Sequence, residues 1–210
     1  MMMIDRKRFF DGIRGAPFAG RLRNEQVEGT ERILAGFEAR GMGGELRHLA
    51  YMLATAFHET AATMQPVRET LTSSDDAAIA ILDRAFEAGK LGAVRTPYWR
   101  RDAQGKSWLG RGLVQLTHRR NYEAMSQLTG IDLVAKPERA MEPQASVTIL
   151  IEGMLRGSFT ARRLEQYFSA KREDWQGARA IINGTDRAEL VGRYGTMFYA
   201  ALAASRIEPA

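Results

Sequence analysis

Between Leu46 and Phe57 the apolar positions Leu46, Leu49, Ala50, Leu53 and Phe57 fall at i, i+3, i+4, i+7 and i+11, the period of one helix face. Gly43-Gly44 punctuates the chain just before this helix. An earlier helix is predicted from Asn24, a capping residue with Glu25 and Glu28 in the first turn, through Val27, Ile33, Leu34 and Phe37 toward a stop at Gly41. Ser73 or Ser74 caps a third, which opens on Asp75 and Asp76 and ends at Gly89. Further helices are predicted near Arg119–Leu128, Pro143–Leu155, Arg162–Phe168, Trp175–Ile182 and Ala188–Ala204, with Pro143 suited to a first turn. Between Lys90 and Gly112 the helical period vanishes and Gly92, Pro97, Gly105, Gly110 and Gly112 break the chain. Irregular stretches of this length in a compact domain are often functional. Within and just after it, Ser107–Leu109 and Leu113–Leu116 are expected to pair as a small β-hairpin. The pattern predicts a mainly α fold with a minor β element.

Composition narrows the chemistry. The 210 residues suit one compact domain with a real core. There is no cysteine, which removes disulfides, thiolate metal ligands and a Cys nucleophile. A net charge of +5 favours anionic partners, among them the wall of bacteria, nucleic acid and lipid. The densest cluster, Arg95, Arg100, Arg101 and Lys106, is broken by Asp102 and reads as a solvated face. No RNP, zinc-finger or KH signature supports nucleic acid. No apolar run reaches the length of a membrane span or a signal peptide. The expectation is a protein made in the cytoplasm, with no integral membrane association, acting elsewhere only if another route releases it. Nothing marks an interface, so a monomer is expected.

Two carboxylates stand out. The second helix runs to Phe57-His58-Glu59-Thr60, and Glu59 lies about 200° around the axis from Phe57. Glu69 follows ten residues later, beyond Pro66, which makes one continuous helix between them unfavourable. A turn there would let Glu69 face Glu59 across a groove. Glycosidic hydrolysis needs such a pair, one carboxylic acid protonating the leaving oxygen and one carboxylate activating water or attacking the sugar. A separation of about 6.5–9.5 Å implies inversion and about 5–5.5 Å a covalent intermediate. Spacing alone leaves both as ordinary surface residues. A zinc site is disfavoured, because Ala62 stands where an HExxH motif needs its second histidine. No G-x-S-x-G elbow is present, and Gly110-Arg111-Gly112 lacks the rest of a phosphate-binding loop. No metal or cofactor is expected.

The run Gly105-Lys106-Ser107-Trp108-Leu109-Gly110-Arg111-Gly112-Leu113-Val114-Gln115-Leu116-Thr117, followed by Asn121-Tyr122, joins His58-Glu59-Thr60 and a later Ile181-Ile182-Asn183-Gly184. In that order these segments resemble glycoside hydrolase family 19, the plant-type chitinases and a set of phage and prophage endolysins. The resemblance spans about Leu46 to Tyr199. It implies a lysozyme-like α+β fold, with a groove between two lobes. One catalytic domain would cover 1–210, a helical segment 1–43 packing on a core at 44–205. It implies Glu59 as general acid, Glu69 as general base of an inverting displacement, and Thr117 as the hydroxyl holding the water. Gln115, Asn121 and Asn183 fall on substrate-contacting positions, and Tyr98 and Trp99 on a loop that carries sugar platforms. His58, Arg111, Arg187 and Arg193 would support substrate or carboxylates. The sequence departs from the family's HETGG by reading HETAA at Ala61 and Ala62.

The expected activity is hydrolysis of the peptidoglycan backbone at the cell wall or periplasm, after release from the cytoplasm. The alternatives are a chitinase acting on chitin oligomers, a lytic transglycosylase, and a non-catalytic wall-binding module.

Overall fold

The computed structural model describes residues 3–41, 45–92 and 94–207. Gly43-Gly44 and the expected boundary between 43 and 44 lie outside the described residues. The fold is mainly helical: α1 Arg6–Gly15, α2 Asn24–Glu38, α3 Leu46–Glu59, α4 Asp75–Glu87, α5 Arg119–Thr129, α6 Pro143–Arg156 and α7 Ala188–Ser205. Three short antiparallel pairs accompany the helices. They are β1 Met3–Ile4 with β6 Arg206–Ile207, β2 Val67–Arg68 with β3 Arg111–Gly112, and β4 Phe168–Ser169 with β5 Arg172–Glu173. No described helix is long and apolar enough to cross a membrane.

The helix α3 is the central element. Its apolar spacing predicted one buried stripe, yet every residue from His48 to Phe57 is buried. A helix enclosed on all sides belongs to the middle of a core. It packs mainly on α7, against which α1 also lies. Each fully buried leucine here, such as Leu49 or Leu53, contributes about 1.5–3 kcal/mol through the apolar surface it removes from water.

Apolar side chains gather into two clusters. The larger joins α1, α2, α3, α6 and α7. The smaller is built from Ala78 and Leu82 of α4 with Trp99 and Leu109. The β2–β3 pair lies where the chain passes from Leu109 of the small cluster to Leu113 of the large one.

Local signals set several boundaries. The Ser74 side chain accepts from the Ala77 N–H at 3.2 Å and caps α4. Pro143 occupies the first turn of α6, and Gly157 at φ 73° ends it. Arg23, not Asn24, is the cap of α2, because the Gln26 side chain reaches back to the Arg23 N–H at 2.9 Å. Three other expectations are corrected. Ser107–Leu109 forms no strand; Arg111 takes a strand partner 43 residues upstream, at Arg68, and keeps only a single bridge to Leu116. Arg162–Phe168 is not a helix but a 3-10 turn at Leu164–Gln166 leading into β4. Trp175–Ile182 contracts to a 3-10 turn at Gly177–Ile181. Each segment is too short for local propensity to outweigh its tertiary contacts.

Candidate active site

Glu59 is the last residue of α3, and its side chain is 14% exposed. Its Oε1 accepts from the Arg179 guanidinium at 2.6 Å, across 120 residues of chain. Arg179 lies in the Gly177–Ile181 turn and is only 2% exposed. Its Nε donates to the Asp186 carbonyl at 2.8 Å, so the guanidinium is fixed from both ends. Glu59 Oε2 has no hydrogen-bond partner among the described residues and stays open to a further contact. His58 beside it is half-buried. Burial holds its imidazole below the ordinary value, with Glu59 and Asp186 pulling it up and Arg179 and Arg187 pushing it down.

The turn leaving α3 is held by α2. The Gln26 amide donates to the Ala62 carbonyl at 2.8 Å, Arg32 donates to Gln65 at 3.2 Å, and Gln65 donates to the Glu25 carbonyl. Gly29 of α2 meets the Met64 carbonyl where any Cβ would collide with it. That close approach explains a glycine inside a helix, where it otherwise costs about 0.5–1 kcal/mol.

Glu69 follows β2 and is half-buried. Its Oε1 accepts from the Tyr98 hydroxyl and its Oε2 from the Gly110 N–H, both at 2.7 Å. The Glu69 N–H donates back to the Gly110 carbonyl at 2.7 Å. A Cβ on Gly110 would stand 2.7 Å from Gln115 Oε1 and 3.3 Å from Glu69 Oε2, so only glycine lets both side chains close on this point. Gln115 is itself anchored by its amide on the Val67 carbonyl at 3.0 Å. Burial, then the Glu69 charge and hydrogen bond, push the Tyr98 phenol well above its usual range, so it stays a donor. The Tyr98 ring stacks obliquely on His118, with centroids 4.2 Å apart. Thr117, between Leu116 and His118, and Asn121 in the first turn of α5 are both half-buried.

Backbone strain concentrates here. Of ten non-glycine residues with positive φ among the described residues, seven are Ala61, Ala62, Met64, Thr70, Leu71, Gln115 and His118. Such conformations cost roughly 1–3 kcal/mol each and persist only where surrounding contacts impose them.

Two expected site residues are enclosed in the interior. Trp99 is no platform: it is 0% exposed in the small cluster, and its indole N–H donates to Asp83 at 2.8 Å. Arg111 is enclosed too. It is 1% exposed, bonded to the Ser107 carbonyl and Tyr122 hydroxyl, and ion-paired with Asp75 at 2.5 Å. Asn183 is exposed, and Arg193 is exposed beside Glu189 at 4.0 Å. The guanidinium that reaches Glu59 is Arg179, which sequence reasoning missed. Its signal is a charge inside the apolar run Ala178–Ile182.

Among the described residues no group of three or more His, Asp or Glu side chains is placed to hold a metal ion. Compared with models of known protein families and with curated protein sequences, the chain matches none.

Proposed function

We propose that the chain is a glycoside hydrolase that cleaves the peptidoglycan backbone with Glu59 as acid and Glu69 as base. The observation that carries this reading is the convergence of distant sequence landmarks on the two glutamates. Arg179, just ahead of Ile181-Ile182-Asn183-Gly184, grips Glu59, and Gly110 of the Gly-Arg-Gly run grips Glu69. The resemblance to glycoside hydrolase family 19 supplies the chemistry, and lysozyme-like architecture belongs to the same reading. Glu59 donates a proton from the oxygen that Arg179 leaves free, to the departing glycosidic oxygen. Glu69, oriented by two donors, takes the proton of a water that attacks the anomeric carbon from the opposite face. Thr117, on the strained segment between Gln115 and His118, is the hydroxyl assigned to that water. The basic chain favours the anionic bacterial wall over neutral chitin as substrate.

The test incubates wild type and Glu59→Gln with purified peptidoglycan and, in parallel, with chitin, and reads the products by mass spectrometry. The wild type is expected to release hydrated reducing ends from peptidoglycan. The variant should fold, by circular dichroism, and lose about 10²–10⁴-fold in rate, the usual weight of a general acid. Full activity in the variant removes Glu59 from the reaction. Anhydro-sugar ends would replace hydrolysis by transglycosylation, and release from chitin alone would replace the substrate.

A further inference from the structure

We propose that a cavity at the opposite end of α3 from Glu59 is a second binding site, one that takes the carboxylate end of a short peptide. It encloses about 430 Å³ and is bounded by the end of α2, the first turn of α3, the end of α6 and the 3-10 turn at Leu164–Gln166. His48, which lines it, is eleven residues before Glu59. At the α-helical rise this is about 16 Å along the axis, so the cavity is separate from the carboxylate pair.

The wall holds an unanswered acceptor. His48 is 8% exposed, and its Nε2 faces the Phe168 carbonyl at 3.4 Å. A carbonyl only accepts, so Nε2 carries the hydrogen and Nδ1 presents a lone pair. Nδ1 is buried and has no partner among the described residues. Buried polar groups of this kind are normally satisfied, and leaving one bare is costly. Burial also holds the His48 pKa below its usual value, which keeps Nδ1 an acceptor near neutral pH. A ligand N–H is the matching group.

The charges ask for one anion. Arg40 and Glu152 neutralise each other at 2.6 Å, and the Arg40 Nη1 is spent on the Gly36 carbonyl. Arg163 uses Nε on Glu165 at 2.6 Å, which leaves its terminal nitrogens without hydrogen-bond partners among the described residues. Among the described residues Arg156 has only Glu152, at 3.8 Å. Three guanidinium groups against two carboxylates leave one positive charge on the lining. A guanidinium matches a planar carboxylate in bidentate geometry. Leu155 adds a small apolar surface. A carboxylate, a nearby N–H and a small aliphatic group together describe the end of a peptide. Resting on the function proposed above, that peptide is the stem carried by peptidoglycan; the site itself does not depend on that function.

The test is calorimetric titration of the intact protein with acetyl-D-alanyl-D-alanine, with the same dipeptide as its C-terminal amide, and with inorganic phosphate. The free carboxylate is expected to bind at least tenfold more tightly than the amide or phosphate. Arg163→Glu and Arg156→Glu, both at exposed positions, should each weaken it at least tenfold, and His48→Phe should do the same if it folds. Equal binding of acid and amide, tighter binding of phosphate, or affinity unchanged in both arginine variants overturns the proposal. Cleavage of peptidoglycan is measured on the same preparations. Activity without dipeptide binding removes this site and leaves the glycosidase reading standing, whereas binding without activity does the reverse.

Discussion

Gly110 concentrates the contacts of the candidate site at one residue. Its N–H orients Glu69, and its missing side chain makes room for Gln115. Gly110→Ala must displace one of them, because a Cβ 2.7 Å from Gln115 Oε1 is closer than real side chains approach. A shift of about 1 Å at a catalytic group costs on the order of 10²-fold in rate. On the function proposed above, the variant is expected to lose about 10²-fold in peptidoglycan cleavage, for about 1–3 kcal/mol of stability lost to overpacking. A turbidity assay beside a urea melt separates the two effects; a wild-type rate would show that Glu69 does not need this N–H. By contrast Trp99 and Arg111, which resemble site residues in the sequence, are held in the interior by Asp83 and by Asp75.

The turn between the two glutamates decides how they are presented. Ala61 at φ 48° and Ala62 at φ 65° both sit in the left-handed region. These are the two positions at which the chain departs from a Gly-Gly pattern, and the turn keeps the geometry that glycine would adopt freely. An L-residue there costs roughly 1–2 kcal/mol, and glycine returns about 0.4–1 kcal/mol of that through its freer unfolded chain. Ala62→Gly is expected to raise stability by roughly 0.5–1 kcal/mol. Chemical denaturation reads the change; a loss of stability would mean that the Ala62 methyl contributes packing worth more than the strain. The α2 contacts from Gln26, Gly29 and Arg32 hold this turn in place against the strain.

Across the whole molecule, burial sets the response to acid. His48, His58 and His118 are all held below their usual pKa, burial being the first cause in each. The folded state then binds fewer protons than the unfolded chain once pH falls below the ordinary value of 6.5. Their contribution is complete above that pH and is lost as pH falls through the depressed folded values. Asp75 extends the trend to lower pH: burial pushes its carboxyl up, but Arg68 and Arg111 outweigh that and hold it below its usual range. The melting temperature is expected to be lower at pH 5 than at pH 7. A flat or rising profile would show that the three imidazoles gain compensating contacts on protonation.

The chain by itself determined its periodic elements. Apolar spacing located α2, α3, α6 and α7, and the Ser73-Ser74 pair and Pro143 marked helix starts, because these signals act within a few residues. It also drew Glu59 out through an ordered motif, and Glu69 with less support. Only the tertiary structure decided which groups serve them. Arg179 reaches Glu59 across 120 residues, and Gly110 reaches Glu69 across 41. Arg111 pairs with the distant Arg68 as well as bridging the nearby Leu116. Such contacts depend on how the helices pack, and a linear pattern carries no record of which distant side chains packing will bring within 3 Å. The same reason separates Tyr98 from Trp99, neighbours in sequence, one bonded to Glu69 and the other enclosed in the core.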